Sequence, residues 1–166
     1  MVHGALEADL AQMARRLGEQ MCHRGASLVL AESCTGGWIA KIITDVPGSS
    51  AWFDRGFVTY SNRAKTQQLD VPPTVLDTFG AVSRETVTAM ATGALTHSEA
   101  HLAIAVSGIA GPGGGTLSRP VGTVWFAWAW RGQDKKLQAC QHLLAGDREA
   151  IRRQAVALAL QGALEP

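Results

Sequence analysis

The chain has 166 residues, 46% of them hydrophobic and 17% charged, which is the composition of an ordinary globular protein. Its 15 basic and 14 acidic side chains give a formal net charge of +1 without any basic block, which argues against nucleic acid as a main partner. The three cysteines are scattered without a CxxC pair, so neither a zinc site nor a disulfide framework is predicted. No apolar run reaches the ~18 residues of a membrane span. Residues 1–25 also lack the pattern of a signal peptide, so we expect a cytoplasmic protein with no membrane partner.

Helical and strand-like patterns alternate in the first half of the chain. Apolar residues at helical spacing between Leu6 and Met21 predict an amphipathic helix that ends near Gly25. The next segments predict, in order, a buried strand, a helix, a second strand and a short helix, at residues 27–31, 38–46, 51–60 and 61–69. Residues 71–80 are expected to form a connector with one helical turn.

The second half begins with a helix for which Ser83 is a good N-cap. Residues 101–108 form an almost continuous apolar run, which predicts a third strand at the centre of the sheet. A glycine-rich loop, a fourth strand, a fifth strand and a closing helix follow at residues 109–120, 121–130, 135–143 and 145–164. Asp147 is expected at or near the N-cap of the closing helix.

The order of these elements predicts the fold class. Strands that alternate with helices indicate an α/β fold with three layers, an α/β/α sandwich. The segment between the fourth and fifth strands is too short for a parallel crossover, so the five-stranded sheet should be mixed and mostly parallel. No linker or internal repeat divides the chain, so we expect residues 1–166 to form a single domain.

Hydroxyl residues stand at the ends of three predicted strands. They are Ser33 and Thr35, Thr59 and Tyr60, and Ser107. Ligands of open α/β sheets bind outside the carboxyl ends of the strands, so these side chains predict a site at that edge. The alternative is that they are polar only because strand ends face water.

Ser33 stands between a buried strand and a helix, where it could act as a nucleophile. Backbone N–H groups near Thr35 and Gly36 would point outward there and could hold a phosphate or a developing oxyanion. The segment is not the hydrolase elbow G-x-S-x-G, because neither flanking position of that motif holds glycine. The alternative is that Ser33 or Thr35 is an ordinary N-cap. Glu32 and Cys34 are interpreted as structural.

A serine nucleophile needs a base, and the histidines do not suit that role. None lies at a predicted carboxyl strand end except His142, near the last strand. Lys65 is the better candidate, because it lies in the first turn of the helix after Tyr60, where a cation opposes the helix dipole. That positive field, together with burial, would lower the pKa of Lys65 and favour the neutral amine. The alternative is a solvated lysine, as is expected for Arg63.

Three other features carry weaker signals. The loop 108–116 offers many unobstructed N–H groups suited to an anion nest, but it lacks the Lys-Ser/Thr of a Walker loop. His97 and His101 are four residues apart, yet Glu99 lies on another helix face, so no metal site is predicted. Alternate aromatic residues of strand 121–130 share one face, which indicates core packing or a subunit interface.

Six segments of the chain together carry a family resemblance. They are AESCTGG, DVPGSSAWFDRGFVTYSNRAK, GAVSRET, SGIAGPGGGT, RPVGTVWFAW and GDREAIR. In this order they resemble the CinA C-terminal domain family of nicotinamide-nucleotide amidohydrolases, also called NMN deamidases. The resemblance runs from about Ser27 to the last helix. It implies a stand-alone form of this domain, with a three-layer α/β/α fold and a mixed five-stranded sheet.

The resemblance also implies an activity. This is hydrolysis of the carboxamide of nicotinamide mononucleotide to nicotinate mononucleotide and ammonia, in pyridine-nucleotide recycling. It makes Ser33 the nucleophile and Lys65 the base of a Ser/Lys pair, with Tyr60 to orient or assist them. Ser107 stands where family members commonly have threonine, and Arg119 where many have lysine.

The same resemblance implies that a nucleotide substrate is bound without metal or cofactor. Substrate binding is assigned to the turn after Ser33, to the glycine-rich loop and to the closing helix, through Thr35, Gly36, Gly37, Ser107, Gly108, Gly111, Gly113, Gly114 and Arg148. A homo-oligomer, with a dimer as the expected form, is suggested by the tryptophan-rich strand. Two alternatives stay open, a non-catalytic nucleotide-binding module and a protein associated with competence or DNA damage.

Overall fold

The computed structural model describes residues 2–132 and 137–164. These residues form the helices α1 (Val2–His23), α2 (Trp38–Thr44), α3 (Asn62–Leu69), α4 (Pro73–Phe79), α5 (Arg84–Thr96) and α6 (Arg148–Leu164). They also form the strands β1 (Leu28–Glu32), β2 (Phe53–Val58), β3 (Leu102–Gly108), β4 (Thr123–Trp130) and β5 (Gln138–Leu143), with a short 3-10 turn, Ser49–Ala51, before β2. Within the described ranges, no helix combines the length and the apolar character needed to cross a membrane.

The five strands form one mixed sheet in the order β2-β1-β3-β4-β5. Strand β1 pairs in parallel with β2 and β3, while β4 is antiparallel to both β3 and β5. Four strands therefore point the same way, and β4 alone opposes them. Strand β3 is buried along almost its whole length, as its apolar sequence requires of a central strand. The mixed sheet and the central third strand are both confirmed.

Helices cover both faces of the sheet. On one face, α1, α2 and α6 pack around a core that includes Leu17, Ile39 and Leu160. On the other face, α3, α4 and α5 bury residues that include Leu76 and Met90. Each helix buries one apolar side, which is the general reason that such chains fold into stacked layers. The predicted α/β/α sandwich is confirmed.

The aromatic residues of β4 belong to these two cores, because successive side chains of a strand point to opposite faces. Phe126 and Trp128 stack with ring centroids 5.9 Å apart on the α6 side, while Trp125 packs on the α5 side. The indole N–H of Trp128 donates to the carbonyl oxygen of Ala159 at 2.9 Å. Core packing therefore accounts for Phe126 and Trp128, which are buried, while the homodimer stays a prediction.

Several predicted elements are a few residues shorter in the structure, and one predicted connector contains a helix. Residues 71–80 contain a seven-residue helix, α4, rather than a connector with one turn. Pro73 lies in the first turn of α4, where a proline is tolerated because no intrahelical N–H is needed there. Lys135 and Lys136, predicted as the start of the fifth strand, lie outside the described residues, and β5 is Gln138–Leu143.

A close backbone approach at Gly93 holds α3 against α5. A Cβ atom added to Gly93 would lie 1.9 Å from the carbonyl oxygen of Leu69, the last residue of α3. Only a residue without a side chain permits this distance. The position of α3 in the second core therefore depends on Gly93.

We expect Gly93→Ala to lower the free energy of unfolding by about 3 kcal/mol, because the added methyl group must displace α3. Urea unfolding followed by circular dichroism measures this loss. Thr92→Ala is the matched control, since Thr92 is exposed on the same helix and its replacement should leave stability nearly unchanged. Equal stability of Gly93→Ala and wild type would contradict the close approach.

Candidate active site

The carboxyl ends of β1, β2 and β3 meet at one edge of the sheet. The backbone N–H of Ser33 donates to Val106 O of β3 at 3.0 Å, and that of Thr59 donates to Glu32 O of β1 at 2.8 Å. These bonds extend the sheet by one residue beyond the regular strands. They bring the residues that follow β1 and β2 beside each other at the predicted edge.

A serine–lysine pair lies at this edge. Lys65 Nζ is 2.9 Å from Ser33 Oγ and 2.8 Å from Thr59 O. Lys65 lies on α3, whose N-cap residue, Ser61, accepts a hydrogen bond from Ala64 N at 3.0 Å through its side chain. Lys65 is only 1% exposed and Ser33 only 7% exposed. The solvated alternative therefore does not apply to Lys65, while Arg63 is exposed as expected.

Burial changes the acid–base character of Lys65. Desolvation lowers the pKa of its amine from the ordinary 10.5 to about 8, because the protein interior disfavours the charged form. None of the ion pairs among the described residues includes Lys65. The amine is therefore much closer to its neutral, proton-accepting form near neutral pH than a surface lysine is.

Glu32, which the sequence reading left as structural, caps helix α2. Its Oε2 accepts hydrogen bonds from Thr35 Oγ1 at 2.6 Å, Gly37 N at 3.0 Å and Ile39 N at 3.2 Å. Its Oε1 accepts a hydrogen bond from Ala40 N at 2.9 Å. A carboxylate at a helix N-terminus satisfies orphan N–H groups and complements the helix dipole. The sequence contains one signal of this cap, an acidic residue shortly before the Gly-Gly pair that precedes the helix.

The cap occupies groups that were assigned to the substrate. The hydroxyl of Thr35 and the N–H of Gly37 donate to Glu32, and the N–H of Gly36 donates to Ser33 O at 3.0 Å. Thr35 is fully buried, and Gly36 and Gly37 adopt left-handed φ angles of 61° and 92° that favour glycine. The structure therefore does not bring these three residues into the site, and they shape the turn behind Ser33.

A cavity of about 280 Å³ opens above the serine–lysine pair. The predicted site residues that line it are Ser33, Tyr60, Lys65, Ser107, Gly108, Gly111, Gly113, Gly114 and Arg148. The structure thus brings together residues from the turn after β1, α3, the end of β3, the glycine-rich loop and the start of α6. Cys34 also lines the cavity, and burial raises the pKa of its thiol to about 12, so the thiolate is disfavoured.

Arg148 and Tyr60 form a bridge at the mouth of the cavity. Arg148 Nη1 donates to Gly111 O at 2.7 Å, and its Nη2 donates to the Tyr60 hydroxyl at 2.9 Å. Asp147 caps α6 as predicted, since its Oδ1 accepts a hydrogen bond from Ala150 N at 2.9 Å. The carboxylate of Asp147 thus lies at the N-terminus of α6, beside the guanidinium-bearing Arg148.

Ser107 lines the cavity and is hydrogen-bonded to a segment that the sequence did not mark as part of a site. Its hydroxyl donates to Ala81 O at 2.7 Å. Ala81 and Val82 both line the cavity, from the short link between α4 and α5. Arg119 lies outside the lining, where its Nη2 donates to Phe79 O at 2.7 Å. Apolar residues before an N-cap carry no local signal of a site, so only the fold identifies Ala81 and Val82.

The histidines contact other groups. His97 Nε2 lies 2.5 Å from Asp70 Oδ2, whereas His101 Nδ1 lies 3.1 Å from the Ser27 hydroxyl. His142 packs edge-on against Phe126 with ring centroids 5.8 Å apart. Among residues 2–132 and 137–164, no three histidine, cysteine or acidic side chains form a cluster that could hold a metal ion.

The fold and site define a class, a three-layer α/β protein with a buried serine–lysine pair beneath a small cavity. The chain matches the model of the CinA C-terminal domain over residues 10–165. It is 53% identical over 156 residues to the nicotinamide-nucleotide amidohydrolase PncC of Escherichia coli strain K12, covering 93% of each chain. A Pseudomonas putida relative of the same name is 53% identical over 153 residues, covering 92% of this chain and 94% of that protein.

Solved structures agree with these sequence matches. The competence/damage inducible protein CihA of Agrobacterium tumefaciens superposes with a TM-score of 0.87 at 45% identity, covering 95% of this chain and 96% of that one. A CinA superfamily protein from Klebsiella pneumoniae superposes with a TM-score of 0.89 at 40% identity, covering 94% of this chain and 96% of that one. The chain belongs to the CinA C-terminal domain family, and the resemblance seen in the sequence is confirmed.

We expect Glu32→Ala to lower the free energy of unfolding by about 3 kcal/mol, because it leaves buried donors of α2 without an acceptor. Glu32→Gln keeps one carbonyl oxygen in the same place and should lose less. Urea titrations of both variants at one pH measure the difference. Equal stability of the alanine variant and wild type would contradict the cap.

Proposed function

We propose that this protein hydrolyses the carboxamide of nicotinamide mononucleotide to nicotinate mononucleotide and ammonia. The observation that carries the proposal is the buried Lys65 Nζ, 2.9 Å from Ser33 Oγ, at the floor of a cavity. The name nicotinamide-nucleotide amidohydrolase borne by relatives at 53% identity over nearly the whole chain supports the same activity. We also propose that residues 1–166 work as one domain, which the packing of α1 against α6 supports.

The lining of the cavity suits the parts of this nucleotide. Val82 and Ile109 offer apolar surface to a pyridine ring next to Ser33. Within the described residues, the N–H groups of Gly113 and Gly114 donate to no backbone carbonyl, so they are available to an anion. Arg148 adds a cation at the same mouth. We assign ribose and phosphate to this end and the carboxamide to the serine–lysine end.

The reaction begins with proton transfer from Ser33 to Lys65. The neutral amine accepts the Ser33 hydroxyl proton while the serine oxygen attacks the amide carbon. One N–H of Lys65 donates to Thr59 O, which directs the lone pair of the amine toward the serine. Collapse of the tetrahedral intermediate breaks the C–N bond, and Lys65 returns the proton to the leaving ammonia. Water then hydrolyses the acyl-serine by the same proton route.

The oxyanion of the intermediate needs N–H donors. The N–H of Gly36 is bonded to Ser33 O, so we assign the oxyanion to the N–H of Cys34 instead. Cys34 lines the cavity, and within the described residues its N–H donates to no backbone carbonyl. Tyr60 contributes by holding Arg148 at the mouth, through the bond between its hydroxyl and Nη2.

A non-catalytic nucleotide-binding module is the main rival, and it differs in what Lys65 does. Such a module would bind the nucleotide without turnover, and its binding would survive Lys65→Ala. The names of some relatives refer to competence and damage, but the net charge of +1 does not favour a DNA-binding role. The buried proton acceptor beside Ser33 favours the hydrolase.

The direct test is ammonia release from nicotinamide mononucleotide by purified protein. We expect turnover by wild type and a loss of at least about 10³-fold in kcat for Ser33→Ala, because the nucleophile is removed. Cys34→Ala is the matched control at the next position and should retain turnover, since only its backbone N–H is used. Turnover by Ser33→Ala at the wild-type rate would refute the assignment of the nucleophile.

The pH profile tests the base. Because burial lowers the pKa of Lys65 to about 8, its neutral form is lost as pH falls below that value. We therefore expect kcat/KM to drop about tenfold per pH unit below about 8 and to level off above it. Initial rates of ammonia release between pH 6 and 10 measure the profile. A drop in kcat/KM that begins near pH 10.5 would instead indicate that burial does not lower the pKa of Lys65.

A further inference from the structure

Arg152 lies outside the cavity lining, on the first two turns of α6, and its side chain reaches the turn after β1. Its Nε donates to Cys34 O at 3.0 Å, and its Nη2 donates to Thr35 O at 2.9 Å. One guanidinium thus binds two consecutive carbonyl oxygens directly behind Ser33. The proposed proton transfers do not involve this residue.

The guanidinium of Arg152 is committed to that turn. It lies over the ring of Trp38 at 5.3 Å from the centroid, and none of the ion pairs among the described residues includes it. Its neighbour Arg153 offers a contrast, since it also lies near Trp38 but donates to Glu149 at 2.6 Å. Two adjacent arginines of α6 therefore have different partners, and only Arg152 binds the backbone beside the nucleophile.

The bonds of Arg152 complete the restraint of the turn. The peptide group before Cys34 is held by the bond from Gly36 N to Ser33 O, at 3.0 Å. The peptide group after Cys34 is held by Arg152 Nε. Because peptide groups are planar, holding both fixes the backbone of Cys34 between them. The direction of the Cys34 N–H and the position of Ser33 Oγ above Lys65 follow from that backbone.

We propose that Arg152 is a positioning residue for the hydrolysis, which it serves by holding the Ser33–Thr35 turn so that nucleophile and oxyanion donor face the same point. This inference rests on the proposed function. A shift of this turn by about 1 Å would lower the reaction rate about 10²-fold, since the reacting atoms would leave their near-attack distance. The interaction acts on the transition state more than on the bound nucleotide, so kcat should fall while KM stays within about threefold.

The test compares Arg152→Lys and Arg152→Ala with Arg153→Lys in ammonia release from nicotinamide mononucleotide. We expect kcat to fall about 10-fold for Arg152→Lys and about 10²-fold for Arg152→Ala, because lysine cannot span both carbonyl oxygens. Arg153→Lys should keep the wild-type kcat. Melting temperatures of all variants separate a positioning effect from loss of fold.

Chemical rescue provides a readout that a purely structural residue would not give. Guanidinium chloride at low millimolar concentration should raise the kcat of Arg152→Ala at least about fivefold, because the ion can occupy the vacated place between the two carbonyl oxygens. The same concentration of sodium chloride, and guanidinium added to wild type, should change nothing. Unchanged kcat in both Arg152 variants would overturn the proposal, and so would a fall in kcat without rescue.

A second assay keeps this inference separate from the proposed substrate. A fluorophosphonate probe is attacked by Ser33 Oγ, which forms an O–P bond and expels fluoride as the proton passes to Lys65. Intact-mass measurement gives the labelling rate, which should be about 10²-fold slower in Arg152→Ala than in wild type. If wild type releases no ammonia while Arg152→Ala is still labelled more slowly than wild type, the proposed substrate is wrong, and the positioning role of Arg152 is supported. Equal labelling rates would overturn the positioning residue alone.

Discussion

The burial of one amine is the constraint on which the rest of the site depends. Lys65 enters the interior on α3, and that helix keeps its place because Gly93 lets α5 approach the last carbonyl of α3. Inside, its Nζ contacts Ser33 Oγ and Thr59 O. Desolvation penalises the ammonium form and brings the pKa to about 8. A lysine at the same distance from Ser33 on the surface would stay protonated and could not accept a proton.

A second buried charge lies next to the pair without disturbing it. Glu32 directly precedes Ser33, yet its carboxylate accepts its hydrogen bonds from Thr35 and from three N–H groups at the start of α2. If that carboxylate faced Lys65, it would stabilise the ammonium form and raise the pKa of Lys65. The helix N-terminus therefore keeps the carboxylate occupied, and desolvation sets the direction in which the pKa of Lys65 is shifted.

The sequence marked Ser33 and Lys65 as candidates for different reasons, and the family resemblance then implied their roles as a pair. Ser33 follows a buried strand, and Lys65 is a cation at the wrong end of a helix, and both are local signals. The carboxylate cap at Glu32 was missed, because an acidic residue before a helix start has many ordinary explanations. Ala81 and Val82 were missed because small apolar residues in a connector carry no chemical signal. The sequence also did not show that the Thr35 hydroxyl donates to Glu32, since a hydroxyl in a turn does not reveal which way it points.

The sequence by itself determined the order of the elements, the layers and the central strand, because apolar periodicity and capping residues act over a few positions of the chain. Only the tertiary structure decided which groups touch. Ser33 and Lys65 are 32 positions apart, and Arg152 is 118 positions from Cys34. Such contacts are set by the way helices settle on the two faces of the sheet, which depends on close approaches such as that at Gly93. The pKa of Lys65 follows from the same packing, since burial is a property of the folded chain alone.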